Sequence, residues 1–266
     1  MKKIIRSCFI LLFTFIGISV LSSCDAKDFN GLEYKILSHE DKTCELVSIG
    51  ECDDLDITVP EYYGEYKVIS IGDYAFYDCR NIKSVTLPEG ITRIEAYAFA
   101  NCYSLKYLNI PNSISIISCS AFDDSSILRF KTYDNALYLG NEKNPYVALV
   151  SALNTDISAV EINPQVKVLK EAAFSGCKKL DSVTIPDGVN DIGYWMFSGC
   201  VRLKSICIPN SVTNIDVFAF NECPELSTIT FGGTMEDWEN VSKKDNWLTN
   251  SSSYTVICSD GTLSEK

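Results

Sequence analysis

Most protein chemistry is built from cysteine, histidine and carboxylate side chains, and this chain supplies them unevenly. Its 266 residues hold twelve cysteines, 35 acidic residues and one histidine. With His39 alone, no two-histidine zinc site and no metalloprotease helix can be assembled. A serine–histidine or cysteine–histidine pair would have to use that one residue. His39 stands beside Glu40 and Asp41, far along the chain from a candidate nucleophile, and reads as a solvated loop residue. Acidic runs at Glu51, Asp53 and Asp54 and at Asp123 and Asp124 have the residue type needed for calcium binding or glycoside hydrolysis. Neither run has the spacing of a calcium loop, and acids adjacent in sequence usually stay solvated on a loop. CxxC pairs, a P-loop and a glycine-rich dinucleotide turn are absent. A formal charge of −12 opposes binding to a nucleic-acid backbone. No catalytic residue, metal or cofactor is expected, which leaves the cysteines to be explained.

The first residues read as an address. Lys2, Lys3 and Arg6 precede a mostly apolar stretch from Cys8 to Leu21, the length of a signal-peptide core and too short to span a bilayer. The sequence Leu21-Ser22-Ser23-Cys24 resembles the bacterial lipoprotein signal, which implies a lipid on Cys24 as the first mature residue. More than one acyl chain there satisfies the condition for stable membrane attachment. Removing residues 1–23 with their three positive charges takes the formal charge from −12 to −15. The remaining cysteines are therefore expected outside the cytoplasm.

The elements that must position them repeat every 23 residues. Ala75-Phe76 returns as Ala98-Phe99 and Ala121-Phe122, and, after a gap of 52, as Ala173-Phe174, Met196-Phe197 and Ala219-Phe220. Three residues beyond each Phe stand Cys79, Cys102, Ser125, Cys177, Cys200 and Cys223. Three further on stand Ile82, Leu105, Leu128, Leu180, Leu203 and Leu226. An alternating apolar pair ending in proline follows in four copies, as in Val85-Thr86-Leu87-Pro88. The alternation predicts a short strand with one face buried, and proline marks where the strand stops donating to a ladder. A second short extended piece, such as Ile91-Thr92-Arg93-Ile94, is predicted next. The stretch Glu95 to Phe99 has helical propensity, so a short helical turn is expected before each Phe. One coil cannot bury its Phe, Leu and Ile alone; stacked coils about 4.8 Å apart bury them together.

This pattern resembles the BspA-type leucine-rich repeat, a bacterial surface variety of its family, over about Val68 to Thr234. The resemblance implies a leucine-rich-repeat solenoid of short β-strands plus short helical turns. Tyr133 to Gly140 with Asn144-Pro145-Tyr146 resembles the hairpin insert such solenoids carry. Trp238, Trp247 and Cys258 to Gly261 resemble their C-terminal cap. The implied organisation is a signal at 1–23, a tether and cap at 24–67, a solenoid at 68–234 with an insert at about 131–159, and a cap at 235–266. The third repeat departs by carrying Ser125 and lacking the proline; the sixth ends in Gly232-Gly233. The resemblance also implies adhesion to host proteins or other cells, and a place in the cell envelope, at the outer membrane or cell surface.

Within this frame Cys79, Cys102, Cys177, Cys200 and Cys223 hold one inward position. They form a ladder of small, weakly donating hydrophobes rather than a disulfide framework. Bridges between neighbouring coils are sterically allowed, and Cys44 with Cys52 is the best disulfide candidate. Cys119, Cys207 and Cys258 lie off the ladder. Strand alternation exposes a row of Thr86, Asn109, Thr132, Thr184, Cys207 and Thr230, next to a row of Ser84, Tyr107, Phe130, Ser182, Ser205 and Thr228. Tyr107, Asn109, Phe130 and Thr132, with Tyr138 and Tyr146 of the insert, are the candidate ligand-binding residues for an extracellular protein or glycan, aromatics supplying area and hydroxyls supplying hydrogen bonds. The same threonines serve equally as a plain solvated sheet, and the insert tyrosines as packing. The rival function is a carboxylate-based carbohydrate-active or calcium-dependent enzyme; a purely structural envelope component is the third.

Overall fold

The computed structural model describes residues 26–27, 31–50, 53–125, 128–250 and 253–265. Within them the chain winds as a solenoid, and hydrogen bonds run from coil to coil at the 23-residue spacing. One line of parallel strands comprises Asp56–Thr58, Ser84–Thr86 and Tyr107–Leu108, with Asp56, Ser84 and Tyr107 in register. The same line resumes as Ser182–Thr184, Ser205–Ile208, Thr228–Phe231 and Tyr254–Ile257, closed by the antiparallel strand Thr262–Glu265. A second line carries Thr43–Ser48, Tyr66–Ile71, Arg93–Ile94 and Ile116–Ile117, then Asp191–Ile192, Asn214–Ile215 and Ser242–Lys243.

The segment before each Phe is a hydrogen-bonded turn, and the helical expectation for it is corrected here. Two residues per turn are left-handed: Tyr74 and Asp78, Tyr97 and Asn101, Ala172 and Gly176, Trp195 and Gly199, Phe218 and Glu222. Such residues cannot continue an α-helix. The turn amides reach the next coil instead, as when Tyr74, Phe76 and Asp78 donate to the carbonyls of Ala96, Ala98 and Ala100. Among the described residues the α-helix is confined to Met235–Asn240, started by a capping box between Thr234 and Asp237.

The Phe rings stack along the axis inside the coils. Phe76 and Phe99 lie 4.8 Å apart between ring centroids, Phe99 and Phe122 6.1 Å, Phe174 and Phe197 5.5 Å, and Phe197 and Phe220 5.3 Å. Trp247 meets Phe220 edge-on and ends the stack at the cap.

The insert divides the core in two. Leu128 and Ile157 hold the same repeat position, so the hairpin of Lys131–Tyr133, Ala136–Leu139 and Ala148–Ala152 is added between them. Its side chains alternate between two neighbours. Leu139, Ala148 and Val150 pack on the coils before it, whereas Ala136, Tyr138 and Leu149 pack on the coils after it. Strand Val168–Leu169 pairs with the hairpin, and Glu171 then returns to the solenoid by donating its amide to the carbonyl of Ile117.

Candidate functional site

The chemically distinctive side chains are used for packing. Three ladder cysteines donate across a coil to the carbonyl of the preceding Phe: Cys102 Sγ to Phe76 (3.0 Å), Cys200 Sγ to Phe174 (3.2 Å), Cys223 Sγ to Phe197 (3.1 Å). Ser125 Oγ makes the same bond to Phe99 and accepts from the amide of Cys102. Burial pushes the Cys102 and Cys223 thiols up to about 12 and Cys177 to about 11, and raises Cys200 as well. These thiols stay protonated and unreactive at neutral pH. Cys79 begins the ladder half-buried, without a Phe carbonyl beneath it. All nine described cysteines are free thiols, Cys44 among them; Cys24 and Cys52 lie outside the described residues.

His39 pairs its Nδ1 with the Tyr66 hydroxyl at 2.8 Å, exposed on the cap. No group of three potential metal ligands occurs among the described residues. Burial raises the Glu171 and Asp191 carboxyls, each also next to Asp216. Glu171 Oε2 accepts from the Cys119 amide at 3.1 Å, so it closes the joint where the insert re-enters the stack. Lys170, its own charge disfavoured by burial, donates from Nζ to the carbonyls of Cys119 and Glu171 at the same joint. Neither residue of this joint stands out in the sequence.

The candidate binding residues separate into distinct roles. Tyr107 is 52% exposed and borders a cleft of about 280 Å³ against the insert. Asn109 is committed to the neighbouring coil, its side chain accepting from the Leu87 amide and donating to the Leu87 carbonyl. Thr132 leaves the repeat row and pairs with Leu137 in the hairpin. Phe130 is half-buried against the first core. Tyr138 is wholly buried, its hydroxyl accepting from the Asn163 amide and its pKa pushed up to about 12 by burial. Tyr146 packs edge-on against Tyr138 and Tyr133. Of the six, Tyr107 is the aromatic side chain left free to meet a partner. In the later coils the row runs in register as Ser182, Ser205, Thr228 and Thr255 and as Thr184, Cys207, Thr230 and Ile257.

Cations beside Tyr107 complete this surface. Lys83, Lys106 and Arg129 follow the 23-residue spacing, and each amide donates to the coil before: Lys83 to Leu55, Lys106 to Lys83, Arg129 to Lys106. The Arg129 guanidinium sits 4.9 Å from the centre of the Tyr107 ring. Lys106, Arg129 and Lys131 line the same cleft as Tyr107, opposed by Glu142. The later half instead holds a groove of about 720 Å³ between Ala159–Pro164 and Ser182–Asp187, with Glu161 and Asp187 as its charged members. The 23-residue spacing of these cations stands in the sequence one position ahead of the two strand rows.

Six repeat copies, over residues 56–143 and 153–253, match the model of the BspA type leucine-rich repeat region. The chain belongs to this family. Members of the BspA type are generally bacterial surface proteins. No curated protein matches the chain. Among solved structures it is similar to a leucine-rich repeat protein of T. pallidum, with 20% identity, 77% of this chain and 85% of that one covered, and a TM-score of 0.43. A leucine-rich repeat protein of Bacteroides ovatus gives 22% identity, 84% and 68% coverage and a TM-score of 0.41. A leucine-rich cell surface protein of Faecalibacterium prausnitzii gives 19%, 84% and 99%, and 0.33.

Proposed function

We propose that this BspA-type protein is a lipid-anchored binding or adhesion protein of the bacterial cell envelope, contacting a protein or glycan through the outer strand face of its repeats. The observation that carries the reading is Tyr107. It stands more than half exposed in a strand row where the later coils carry serine or threonine, at the mouth of the cleft against the insert. A large exposed aromatic beside a polar, concave rim is the composition of an interaction hot spot. The ladder thiols, the histidine and the most perturbed carboxylates are engaged in packing or in bonds within the fold, which supports a non-enzymatic role.

The anchor rests on Lys2, Lys3, Arg6, the apolar stretch to Leu21 and Cys24, all outside the described residues. It is tested by detergent partition of the full chain: Cys24→Ala is expected to move the protein to the aqueous phase, and retention in the detergent phase contradicts lipidation. The binding reading is tested on arrays of extracellular-matrix proteins and glycans. Wild type is expected to bind a partner that Tyr107→Ala loses. A partner retained by that variant removes the face from consideration, and no partner at all favours a purely structural envelope component.

A further inference from the structure

We propose that the outer face of the first three coils binds a linear polyuronate, an acidic glycan lying along the solenoid axis with its carboxylates on Lys83, Lys106 and Arg129. The inference rests on the binding reading above and gives it a place and a partner class. The three backbones are stacked by hydrogen bonds of 2.9 Å (Lys106 to Lys83) and 3.1 Å (Arg129 to Lys106), which puts one cation on each coil at a spacing of about 4.8 Å. All three side chains are exposed, as is that of Lys131.

What marks the stripe is that its cations stack on consecutive coils without forming an ion pair. The formal charge of the chain is −12, and several cations elsewhere pair with carboxylates: Lys42 with Glu65, Arg80 with Asp78, Arg93 with Glu95, Lys179 with Asp156. Among the described residues, Lys83, Lys106, Arg129 and Lys131 form no ion pair. The equivalent row in the later coils is Ser158, Asp181, Lys204 and Ser227, where Asp181 neutralises Lys204 at 3.4 Å. Glu142 lines the same cleft, and Asp56, in register with Ser84, accepts from Ser84 Oγ at 2.6 Å. Cations held side by side without partners attract an anion of matching repeat, and the attraction weakens with salt.

The aromatic ring among the cations favours a glycan over an acidic peptide. Tyr107 adds a flat apolar face of the kind that receives the C–H side of a sugar ring, and Gly140 and Asn141 line the cleft beside it.

The test is calorimetric titration of the full chain with oligogalacturonate, with neutral oligogalactan and with polyglutamate, at low and high salt. Oligogalacturonate is expected to bind, more weakly in high salt, while the neutral oligomer does not. The triple variant Lys83→Gln/Lys106→Gln/Arg129→Gln is expected to bind roughly tenfold more weakly with its melting temperature unchanged, whereas Lys178→Gln/Lys179→Gln in the later coils binds as wild type. Failure of oligogalacturonate to bind, when an array shows another partner, overturns the polyuronate assignment and leaves the binding reading standing. Failure of every array ligand overturns both. Polyglutamate bound as tightly as oligogalacturonate overturns the glycan in favour of an acidic peptide, and an unaffected triple variant overturns the stripe.

Discussion

The coils before and after the hairpin are copies of one repeat, yet they divide the work differently. The later coils are the more regular: Phe174, Phe197 and Phe220 stack at 5.5 and 5.3 Å, and three wholly buried thiols follow one another. The earlier coils are looser at their ends, with Phe122 6.1 Å from Phe99, Cys79 half-buried and a serine as the last rung. The outer faces differ in the same sense. The later face has its cation neutralised by Asp181, while the earlier face carries unpaired cations around Tyr107. Cores built on one repeat therefore leave each half free to specialise its surface, since the repeat constrains the inward positions and not the outward ones.

The comparison breaks most visibly in the ring stack. Phe197→Ala, with a ring on either side, is expected to cost about 3–5 kcal/mol, and Phe122→Ala, at the end of its stack, to fall at or below the lower limit. Urea unfolding of both variants checks this; equal losses would mean the two stacks are equivalent.

Alkaline pH is the next largest effect. The ordinary thiol value is 9.0, and burial moves Cys223 to about 12 in the folded chain. Because the folded value is the higher one, the protonated thiol stabilises the fold fully below about pH 9 and progressively less as pH rises toward 12. A falling denaturation midpoint across that window is expected, and Cys200→Ser/Cys223→Ser should flatten it more than Cys79→Ser.

Single rungs come third. Cys200→Ala is expected to cost about 1–2 kcal/mol through a small cavity and an unsatisfied Phe174 carbonyl. Cys200→Ser should cost less than about 1 kcal/mol, because Ser125 already occupies that position with a hydroxyl bond. Cys79→Ala should change stability by under about 0.5 kcal/mol. The smallest effect is chemical: Cys207, exposed on the later row, should be the first thiol to react with a maleimide, without loss of stability.

The solenoid was legible because Phe, the ladder residue and Leu repeat with one period, and any error in one copy is corrected by the other five. The turns were not. Tyr97, Trp195 and Phe218 adopt a left-handed backbone that their side chains disfavour locally, and coil-to-coil hydrogen bonds, invisible in a single repeat, outweigh that cost. Tyr138 reads equally as contact or as packing in the sequence because a hairpin strand normally has one wet face; here both faces are covered, one by each core. Thr132 and Phe130 follow the period in sequence but leave the row in space, since the insert begins between them and the next coil. The cations at Lys83, Lys106 and Arg129 keep the same period one position ahead of the two strand rows, where a lysine on a solvated face carries no signal by itself.

Lysine acetylation footprinting, read by mass spectrometry with and without saturating oligogalacturonate, compares the two faces in one sample. Lys83, Lys106 and Lys131 are expected to become protected while Lys178, Lys179 and Lys204 react as in the free protein. Protection confined to the later lysines, or bound ligand with no lysine protected in the earlier coils, would contradict a binding surface on the first half of the solenoid.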